Sequence, residues 1–357
     1  MFYHSLVSDW NHGNAHFLRG VATELIGQGH DVRIYEPEGG WSRANLLKEC
    51  GEAPVADFHT RYPHLQSVLY RPENLDLDQA LDRADGVLVH EWNEPQWIAR
   101  LGEHRRSRGA RYKLLFHDTH HRSVTDPRFI SSQALAHYDG VLAFGESLRE
   151  KYLENRWSGR VWTWHEAADT RVFHPQPQQN PLADLVWIGN WGDEERTAEL
   201  NEFVLEPVRA LSLRATAHGV RYPRSAKAAL ASAGIEYRGW LPNFRVPEVF
   251  AQHLATVHVP RRPYIEQLPG IPTIRVFEAM ACGIPLLCAP WKDREHLFRP
   301  GEDYLVARDG AEMQSMMRDL IQDARLRSDL SRRGLETILK RHTCGHRAAE
   351  LLNIVNS

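Results

Sequence analysis

Residues 268–290 combine turns and side chains that could together bind a phosphate beside a pair of hydroxyl groups. A loop rich in proline and glycine precedes an apolar helix, which the pattern starts near Thr273 and ends at Gly283, and a short apolar strand follows at residues 286–289. The first turn of a helix presents unpaired N–H groups and about half a positive charge, which attracts anions. Glu278, one turn further along, can accept hydrogen bonds from neighbouring hydroxyl groups. A phosphate beside a sugar diol is a nucleotide, and the alternative is a core helix and strand that carry a glutamate by chance.

The order of residues in this stretch resembles a known family. Arg275 to Pro285 read Arg-x-Phe-Glu-Ala-Met-Ala-Cys-Gly-x-Pro, which resembles the nucleotide-sugar site of GT-B glycosyltransferases. Together with the preceding Gly-Ile-Pro-Thr-Ile, the segment is most similar to the CgeB-like branch, named for a spore-maturation protein. Asp169-Thr170 and the following Phe-x-Pro resemble the interdomain signature of family-four retaining glycosyltransferases. The resemblance implies two Rossmann-like α/β domains with parallel sheets facing a central cleft.

The helix start and its loop supply candidates for the diphosphate and the ribose of a nucleotide sugar. We expect the backbone N–H groups of Ile271, Thr273 and Ile274, with the Thr273 hydroxyl, to face the diphosphate. Arg275 would add positive charge there, and Glu278 would accept hydrogen bonds from the ribose hydroxyls. Stabilising the departing phosphate is one of the tasks that glycosyl transfer requires.

Two further loops match positions that the family uses for the donor. Asn190 and Trp191 lie where the family closes over the phosphates, and Arg196 beyond them could neutralise the leaving group. A solvated helix face is the alternative for Arg196. Trp240 and Leu241 match the position of the base pocket, where a tryptophan either stacks on the base or fills the core.

Two positions bear on the donor sugar. Arg261 follows a strand that ends at Pro260, and a cation at a strand's carboxyl end could bind phosphate or an acidic sugar, with a solvated turn as the alternative. Many retaining members carry two glutamates separated by seven residues, but the position eight before Glu278 is Gly270. Glu266 is a candidate to take the place of that glutamate, although its spacing from Glu278 differs. The stretch therefore describes the nucleotide more clearly than the sugar.

Candidate catalytic residues follow apolar strands in the first half of the chain. His117 or Asp118 resembles the family position that contacts the donor sugar near its reacting carbon. His12 occupies the loop where inverting GT-B enzymes keep a general base, and Glu91 is a carboxylate base at a neighbouring strand end. A structural role is the alternative for each histidine. A metal site in the cluster of residues 117–121 is a further alternative, but we expect no metal there because ligands so close in sequence rarely converge.

The organisation of the chain predicts an α/β protein with two domains. Helices alternate with short apolar strands, beginning with a strand at residues 2–8, while residues 43–74 show no regular pattern. We predict an acceptor-side domain at residues 1–175, a linker at 176–182, and a nucleotide-sugar domain at 183–340. The resemblance implies that residues 341–357 form a helix that packs back on the first domain.

Composition limits the partners and the location. The net charge of −3 favours neither nucleic acid nor membrane, and no apolar run is long enough to span a bilayer. With four widely spaced cysteines and no apparent leader, we expect a cytoplasmic protein. The basic residues between Arg100 and Lys113 could contact an anionic surface, or form a solvated helix face.

The sequence thus predicts a metal-independent glycosyltransferase that uses a nucleotide-diphosphate sugar, with UDP favoured on resemblance, and an unknown acceptor hydroxyl. Retention of configuration is favoured over inversion. The alternatives are a GT-B sugar-nucleotide epimerase and a catalytically silent binding protein of the same fold.

Overall fold

The computed structural model describes residues 1–126, 129, 134–177 and 181–357. Its described residues divide into two units, one formed by Met1–Glu166 with Gly345–Ser357 and one formed by Ala167–Cys344. The division after Glu166 falls ahead of the sequence-based boundary at 175, because Ala168 pairs with Thr343 and so joins the second unit. Part of the predicted linker, residues 178–180, lies outside the described residues.

Parallel strands form the centre of the first unit. A two-stranded sheet and a four-stranded sheet of order β3-β4-β5-β6 are connected through Phe2, which bridges in parallel to Tyr35 and to Val89. Every pairing within these sheets is parallel. The strand order therefore reverses at Phe2, and open sheets bind ligands at the carboxyl ends of such strands. The strands are β1 (Ile34–Pro37), β2 (Ser67–Tyr70), β3 (Gly86–His90), β4 (Lys113–Asp118), β5 (Gly140–Ala143) and β6 (Val161–Thr163).

The predicted first strand at residues 2–8 pairs with neighbouring strands only at its start, through Phe2 and Tyr3. Further along it is irregular, because the carbonyls of Leu6 and Val7 bond to a side chain. The fully buried Arg19 donates to the carbonyls of Leu6 and Val7, each at 2.9 Å, and pairs with Asp9. Residues 43–74, which showed no pattern, contain two helices and a strand. The helices of this unit are α1 (Ala15–Gly27), α2 (Trp41–Cys50), α3 (Ala53–Arg61), α4 (Leu77–Ala80), α5 (Pro95–Arg108), α6 (Arg122–Thr125) and α7 (Glu146–Glu154).

The second unit is built on a six-stranded parallel sheet of order β12-β11-β10-β7-β8-β9. The order reverses between β7 and β10, which is the topological switch point of a doubly wound fold. Alternate strand side chains pack with helices in one apolar cluster on one face of the sheet. On the other face, side chains such as Val186 and Leu286 are also buried. The strands are β7 (Ala183–Ile188), β8 (Ala215–His218), β9 (Ile235–Tyr237), β10 (His253–His258), β11 (Leu286–Cys288) and β12 (Leu305–Val306).

The helices of the second unit follow their strands as the alternating pattern predicts. A π-helical segment at Asn201–Leu205 joins the helix Thr197–Leu200 to the helix Glu206–Leu211. The last helix, α16 (Cys344–Asn356), lies in the first unit from Gly345 onward, where the Trp164 indole donates to the Arg347 carbonyl. The others are α8 (Thr197–Leu200), α9 (Glu206–Leu211), α10 (Arg224–Ser232), α11 (Val246–Phe250), α12 (Pro263–Glu266), α13 (Ile274–Ala281), α14 (Gly310–Gln322) and α15 (Ala324–Arg341).

These two α/β units confirm the predicted fold class. Among the described residues, no helix has the length and apolar character needed to cross a membrane.

Candidate functional site

The candidate donor site lies at the carboxyl ends of the strands of the second unit. The loop after β7 carries Asn190 and Trp191, and Arg261 follows β10 across the switch point. Helix α13 begins beside them with Thr273 at its N-cap. The sequence prediction placed these residues on separate loops, and the sheet order brings their loops to one edge.

The N-terminus of α13 has no side-chain cap among the described residues. The Thr273 side chain does not cap the helix within the described chain, because its hydroxyl lies 3.2 Å from His258 Nε2 at the end of β10. Burial lowers the pKa of His258 to about 3, so the imidazole is neutral at neutral pH. The side chains of Ile271 and Ile274 are buried in the core, which leaves only their backbone groups for a ligand. This geometry suits the predicted contact with a diphosphate.

The backbone geometry at Gly270 explains why this position does not carry a glutamate. Its φ is +96°, and a Cβ would lie 3.0 Å from Arg294 Cβ and 3.2 Å from the Lys292 carbonyl oxygen. Only glycine adopts such backbone angles without strain. The second family glutamate is therefore excluded by the shape of this loop.

Replacing Gly270 by alanine is expected to destabilise the protein and weaken nucleotide binding. Left-handed backbone costs an L-residue roughly 1–2 kcal/mol, and crowding against Arg294 adds to this. Gly234→Ala is the matched control, since Gly234 has φ +77° with nothing within 4 Å. Urea unfolding should give a larger loss for Gly270→Ala, and calorimetric titration with UDP should show weaker binding for that variant alone. Equal losses for both variants would contradict a close approach at Gly270.

Glu278 is completely buried under its own partners. Its Oε1 accepts a hydrogen bond of 2.7 Å from the Asn243 amide, and its Oε2 pairs with the guanidinium of Arg275. The Arg275 side chain is itself only 16% exposed. A ribose can therefore reach the carboxylate only if Arg275 or Asn243 moves aside. The sequence did not single out Asn243, since an asparagine in a turn has many ordinary uses.

Arg196 is anchored by three backbone carbonyls. It donates to Val259 at 2.8 Å, to Trp191 at 3.3 Å and to Asn190. Burial, with Arg261 as a second cause, lowers its pKa to about 9, so the guanidinium stays charged at neutral pH. Arg196 is therefore no solvated helix face. It fixes the loop after β7 to the end of β10, and two of its five N–H bonds remain available.

The remaining predicted donor residues differ in their surroundings. The Trp191 ring is buried against Trp187, and its indole N–H donates to the Thr197 hydroxyl, so this side chain packs the core. Trp240 and Leu241 are half-buried after β9. The predicted closure of the Asn190–Trp191 loop over the phosphates stays a prediction, and so does the role of Trp240 in the base pocket.

Arg261 is held by a carboxylate. Its guanidinium lies 3.0 Å from Glu195 Oε2, and the next residue, Arg262, pairs with Glu199 at 3.0 Å. The basic pair therefore joins α12 to the segment before α9 and is not a free turn. A phosphate would have to share Arg261 with Glu195.

His218 is a residue of this edge that the sequence analysis missed. It ends β8, is 5% exposed, and neither ring nitrogen has a hydrogen-bond partner among the described residues. Burial lowers its pKa to about 4, with Arg238 the next cause. No local pattern marks such a histidine, because its position at the site depends on the strand order.

Buried polar groups also collect at the carboxyl ends of β3 and β4 in the first unit. The Tyr3 hydroxyl lies 2.7 Å from His117 Nδ1, and His117 Nε2 has no partner among the described residues. Burial lowers the pKa of His117 to about 3. Asp118 accepts hydrogen bonds from the Tyr152 hydroxyl at 2.7 Å and from the His120 amide at 3.2 Å. Both residues are enclosed, and Asp118 organises the loop after β4.

Glu91 is a buried carboxylate with one free oxygen. Its Oε2 accepts from Arg122 at 2.7 Å, while Oε1 has no partner within the described part of the chain. Burial raises its pKa to about 8, and the Arg122 guanidinium opposes that rise. A carboxyl group with a pKa near neutrality can act as an acid or a base, as predicted for Glu91.

His12 lies in a cluster of imidazole rings. Its ring centroid is 5.2 Å from His4 and 5.9 Å from His90, and its Nε2 lacks a partner among the described residues. Burial lowers its pKa well below the usual range, as do the nearby His4 and Arg19. The ring is neutral at neutral pH and so can accept a proton, although burial makes it a weak base.

Two alternatives from the sequence, a metal site and a basic surface on α5, can be compared with the structure. Within the described residues, no group of three His, Cys, Asp or Glu side chains could hold a metal ion. In the basic run on α5, Arg105 pairs with Asp139 at 2.8 Å, and Arg106 and Arg108 pair with acidic side chains. Much of that positive charge is thus neutralised within the unit.

A family comparison matches most of the second unit and part of the last helix. Residues 196–353 match the family described as glycosyl transferase-like. No curated protein matches the chain in sequence.

Solved structures share the whole fold at low identity. An alpha-glucosyltransferase in complex with UDP and a 13-mer DNA has a TM-score of 0.70 at 12% identity, with 98% of this chain and 97% of that chain covered. The sucrose-phosphate synthase of Thermosynechococcus elongatus has a TM-score of 0.63 at 12% identity, with 95% and 92% covered. T4 phage β-glucosyltransferase in complex with UDP and Mn²⁺ has a TM-score of 0.60 at 14% identity, with 96% and 93% covered. The chain has the GT-B fold, and the resemblance to GT-B glycosyltransferases is confirmed, while the CgeB-like branch stays a prediction.

Proposed function

We propose that this GT-B chain transfers a sugar from a nucleotide-diphosphate sugar to an acceptor hydroxyl. The observation that carries the proposal is the uncapped N-terminus of α13, with Thr273 against a neutral His258 and the Glu278–Arg275 pair one turn below. The glycosyl transferase-like match includes these residues. UDP is the proposed carrier, since two of the similar structures were solved with UDP.

In the proposed donor complex, the first turn of α13 and the backbone of Gly270 hold the diphosphate. Arg196 keeps the loop after β7 in place, and in this proposal its two remaining N–H bonds stabilise the leaving phosphate. Glu278 positions Arg275 and, where Arg275 moves aside, accepts the ribose hydroxyls. Trp240 and Leu241 border the base.

The transfer forms a bond between the acceptor oxygen and the anomeric carbon while the bond from that carbon to the diphosphate oxygen breaks. We propose retention, with the acceptor proton passing to the departing diphosphate. Inversion would instead need a base, and His12 or Glu91 would accept the proton. The similar structures include an alpha- and a beta-glucosyltransferase, so the fold itself fixes neither outcome. Proton NMR of the first product, before any mutarotation, distinguishes the two.

The decisive experiment measures donor binding and transfer separately. A UDP-sugar at about 100 times its dissociation constant should add about 2.7 kcal/mol of stability, visible in thermal unfolding. Transfer of labelled glucose from UDP-glucose should then be measured with a panel of acceptors. DNA is included in the panel as an acceptor that we expect to be inactive, because the net charge of −3 does not favour binding to nucleic acid. No stabilisation by any nucleotide would contradict the proposal.

The same assay separates the alternatives. Transfer that persists in EDTA is expected for a metal-independent enzyme, and activity restored only by Mn²⁺ would contradict it. An epimerase would isomerise the donor without an acceptor, and a silent binding protein would be stabilised by the donor without hydrolysis or transfer.

A further inference from the structure

A cavity lined by aromatic side chains lies within the first unit. It has a volume of about 730 Å³ and opens beside the ends of β1, β2 and β3. A drug-sized ligand occupies a pocket of roughly 300–1,000 Å³. Trp41, Tyr70, Trp92, Trp97 and Phe129 contribute rings to its wall. We call it the aromatic pocket, and neither the sequence motifs nor the donor site includes it.

Several of these rings are held in place by their neighbours. Tyr70 and Trp97 pack with their centroids 5.2 Å apart, and the Arg122 guanidinium lies 3.6 Å from the centre of the Trp92 ring. Trp41 packs on Trp10 at 5.0 Å and is still 42% exposed. A rigid wall of flat rings with one ring open to solvent is prepared to stack on a ligand.

Most polar groups of the aromatic pocket already have partners. The Asn93 amide donates to the carbonyls of Phe2 and His90 and accepts from the Tyr70 hydroxyl. Both Glu38 oxygens accept from Arg71, and the Arg122 guanidinium donates to Glu91. A sugar ring needs several free donors and acceptors, because an unpaired hydroxyl in a pocket is costly. The aromatic pocket therefore favours a ligand with few polar groups.

His4 is the polar side chain that connects the aromatic pocket to the buried histidines. Its ring centroid lies 6.4 Å from Trp41, 5.4 Å from Trp92 and 5.2 Å from His12. Burial lowers its pKa to about 4, with Arg122 a second cause, so the ring is neutral at neutral pH. A neutral imidazole offers one donor and one acceptor, enough for a single hydroxyl group.

We infer that the aromatic pocket binds an acceptor with a planar aromatic ring, whose hydroxyl group lies beside His4. The role of this ligand as an acceptor rests on the proposed function, but binding of the aromatic ring can be tested independently. Stacking on a Trp or Tyr face and a single polar contact favour a phenol or a related hydroxylated aromatic compound over a saccharide.

The test uses 4-methylumbelliferone, a planar phenol, and maltose as the saccharide probe. Calorimetric titration of the full chain without any nucleotide should detect the phenol and not maltose. Trp41→Ala should weaken phenol binding at least tenfold, and Trp41→Phe should restore most of it. Leu69→Ala is the matched control, since Leu69 is 43% exposed in the same unit and lies outside the aromatic pocket, and it should change affinity less than twofold.

Two results would overturn the inference. One is maltose binding that Trp41→Ala abolishes, and the other is phenol binding that neither Trp41→Ala nor Trp92→Ala weakens. UDP titration of the same preparations keeps the two proposals distinct. Phenol binding without nucleotide binding would reject the glycosyltransferase proposal alone, and nucleotide binding without phenol binding would reject the aromatic acceptor alone.

Discussion

Glu278→Ala is expected to destabilise the second unit by about 3–5 kcal/mol, the usual cost of removing one partner of a buried ion pair. The carboxylate is wholly enclosed and balances Arg275, which is 16% exposed, while it also accepts from Asn243. Alanine would leave a buried guanidinium without its counter-ion. Urea unfolding at neutral pH measures the loss.

Nucleotide affinity should fall together with this stability, and a second variant separates the two effects. Glu278→Gln keeps the size of the side chain and should lower UDP affinity at least tenfold in calorimetry at a temperature where the variant is folded. The control is Asp303→Asn, because Asp303 is a buried carboxylate of the same unit that pairs with Arg299 and accepts from Thr337. We expect that control to lose stability and keep UDP affinity. Wild-type UDP affinity in Glu278→Gln would reject Glu278 as part of the nucleotide site.

The first unit is expected to lose stability steeply below pH 6.5. Four of its buried histidines have lowered pKa values: His4 to about 4, His117 to about 3, and His12 and His90 well below the usual range. Burial is the first cause for all four. Such rings stay neutral in the folded chain and become protonated on unfolding.

The sign follows from proton binding. Between pH 6.5 and the lowered pKa values, the unfolded chain binds protons that the folded chain does not, so stability is fully present above pH 6.5 and is lost as pH falls. Each histidine contributes about 1.4 kcal/mol per pH unit. Glu91 acts oppositely, since burial raises its pKa to about 8 and its stabilisation grows as pH falls from 8 toward 4.5. The net loss between pH 6.5 and 5.5 is about 3 kcal/mol, because the histidines of the unfolded chain are only half protonated at pH 6.5.

Urea unfolding at pH 7.0, 6.5, 6.0 and 5.5 measures this dependence. His4→Gln should reduce the slope by about 1.4 kcal/mol per pH unit, although it also changes packing. The matched control is His59→Gln, because His59 is exposed in the same unit and its substitution should leave the slope as it was. A flat profile in the wild-type chain would show that the histidines protonate in the folded state.

The donor stretch could be predicted from sequence because its elements are local. Proline and glycine open the loop, Gly283 ends the helix, and Glu278 lies one turn inside, as the described α13 and β11 confirm. The alternation of strands and helices likewise predicted the two parallel sheets. The strand at residues 2–8 failed where a distant arginine, Arg19, replaced the sheet as a hydrogen-bond partner.

The surroundings of each side chain could not be predicted in that way. Several features depend on which strand ends are neighbours. They are the anchoring of Arg196 by three carbonyls, the burial of Trp191, the lack of a partner for His218 among the described residues, and the aromatic pocket. Strand order is set by the packing of the whole sheet, so residues far apart in sequence meet only after folding.

Local backbone preferences account for the helix start that suits a phosphate, and the glycine at position 270 is read directly from the sequence. The reason for that glycine appears only in the folded chain, where Gly270 has φ +96° against Arg294. Folding also covers Glu278 with Arg275 and gathers flat rings from four separate segments around one pocket. Burial and long-range pairing produce these features, and neither is encoded in the spacing of neighbouring residues.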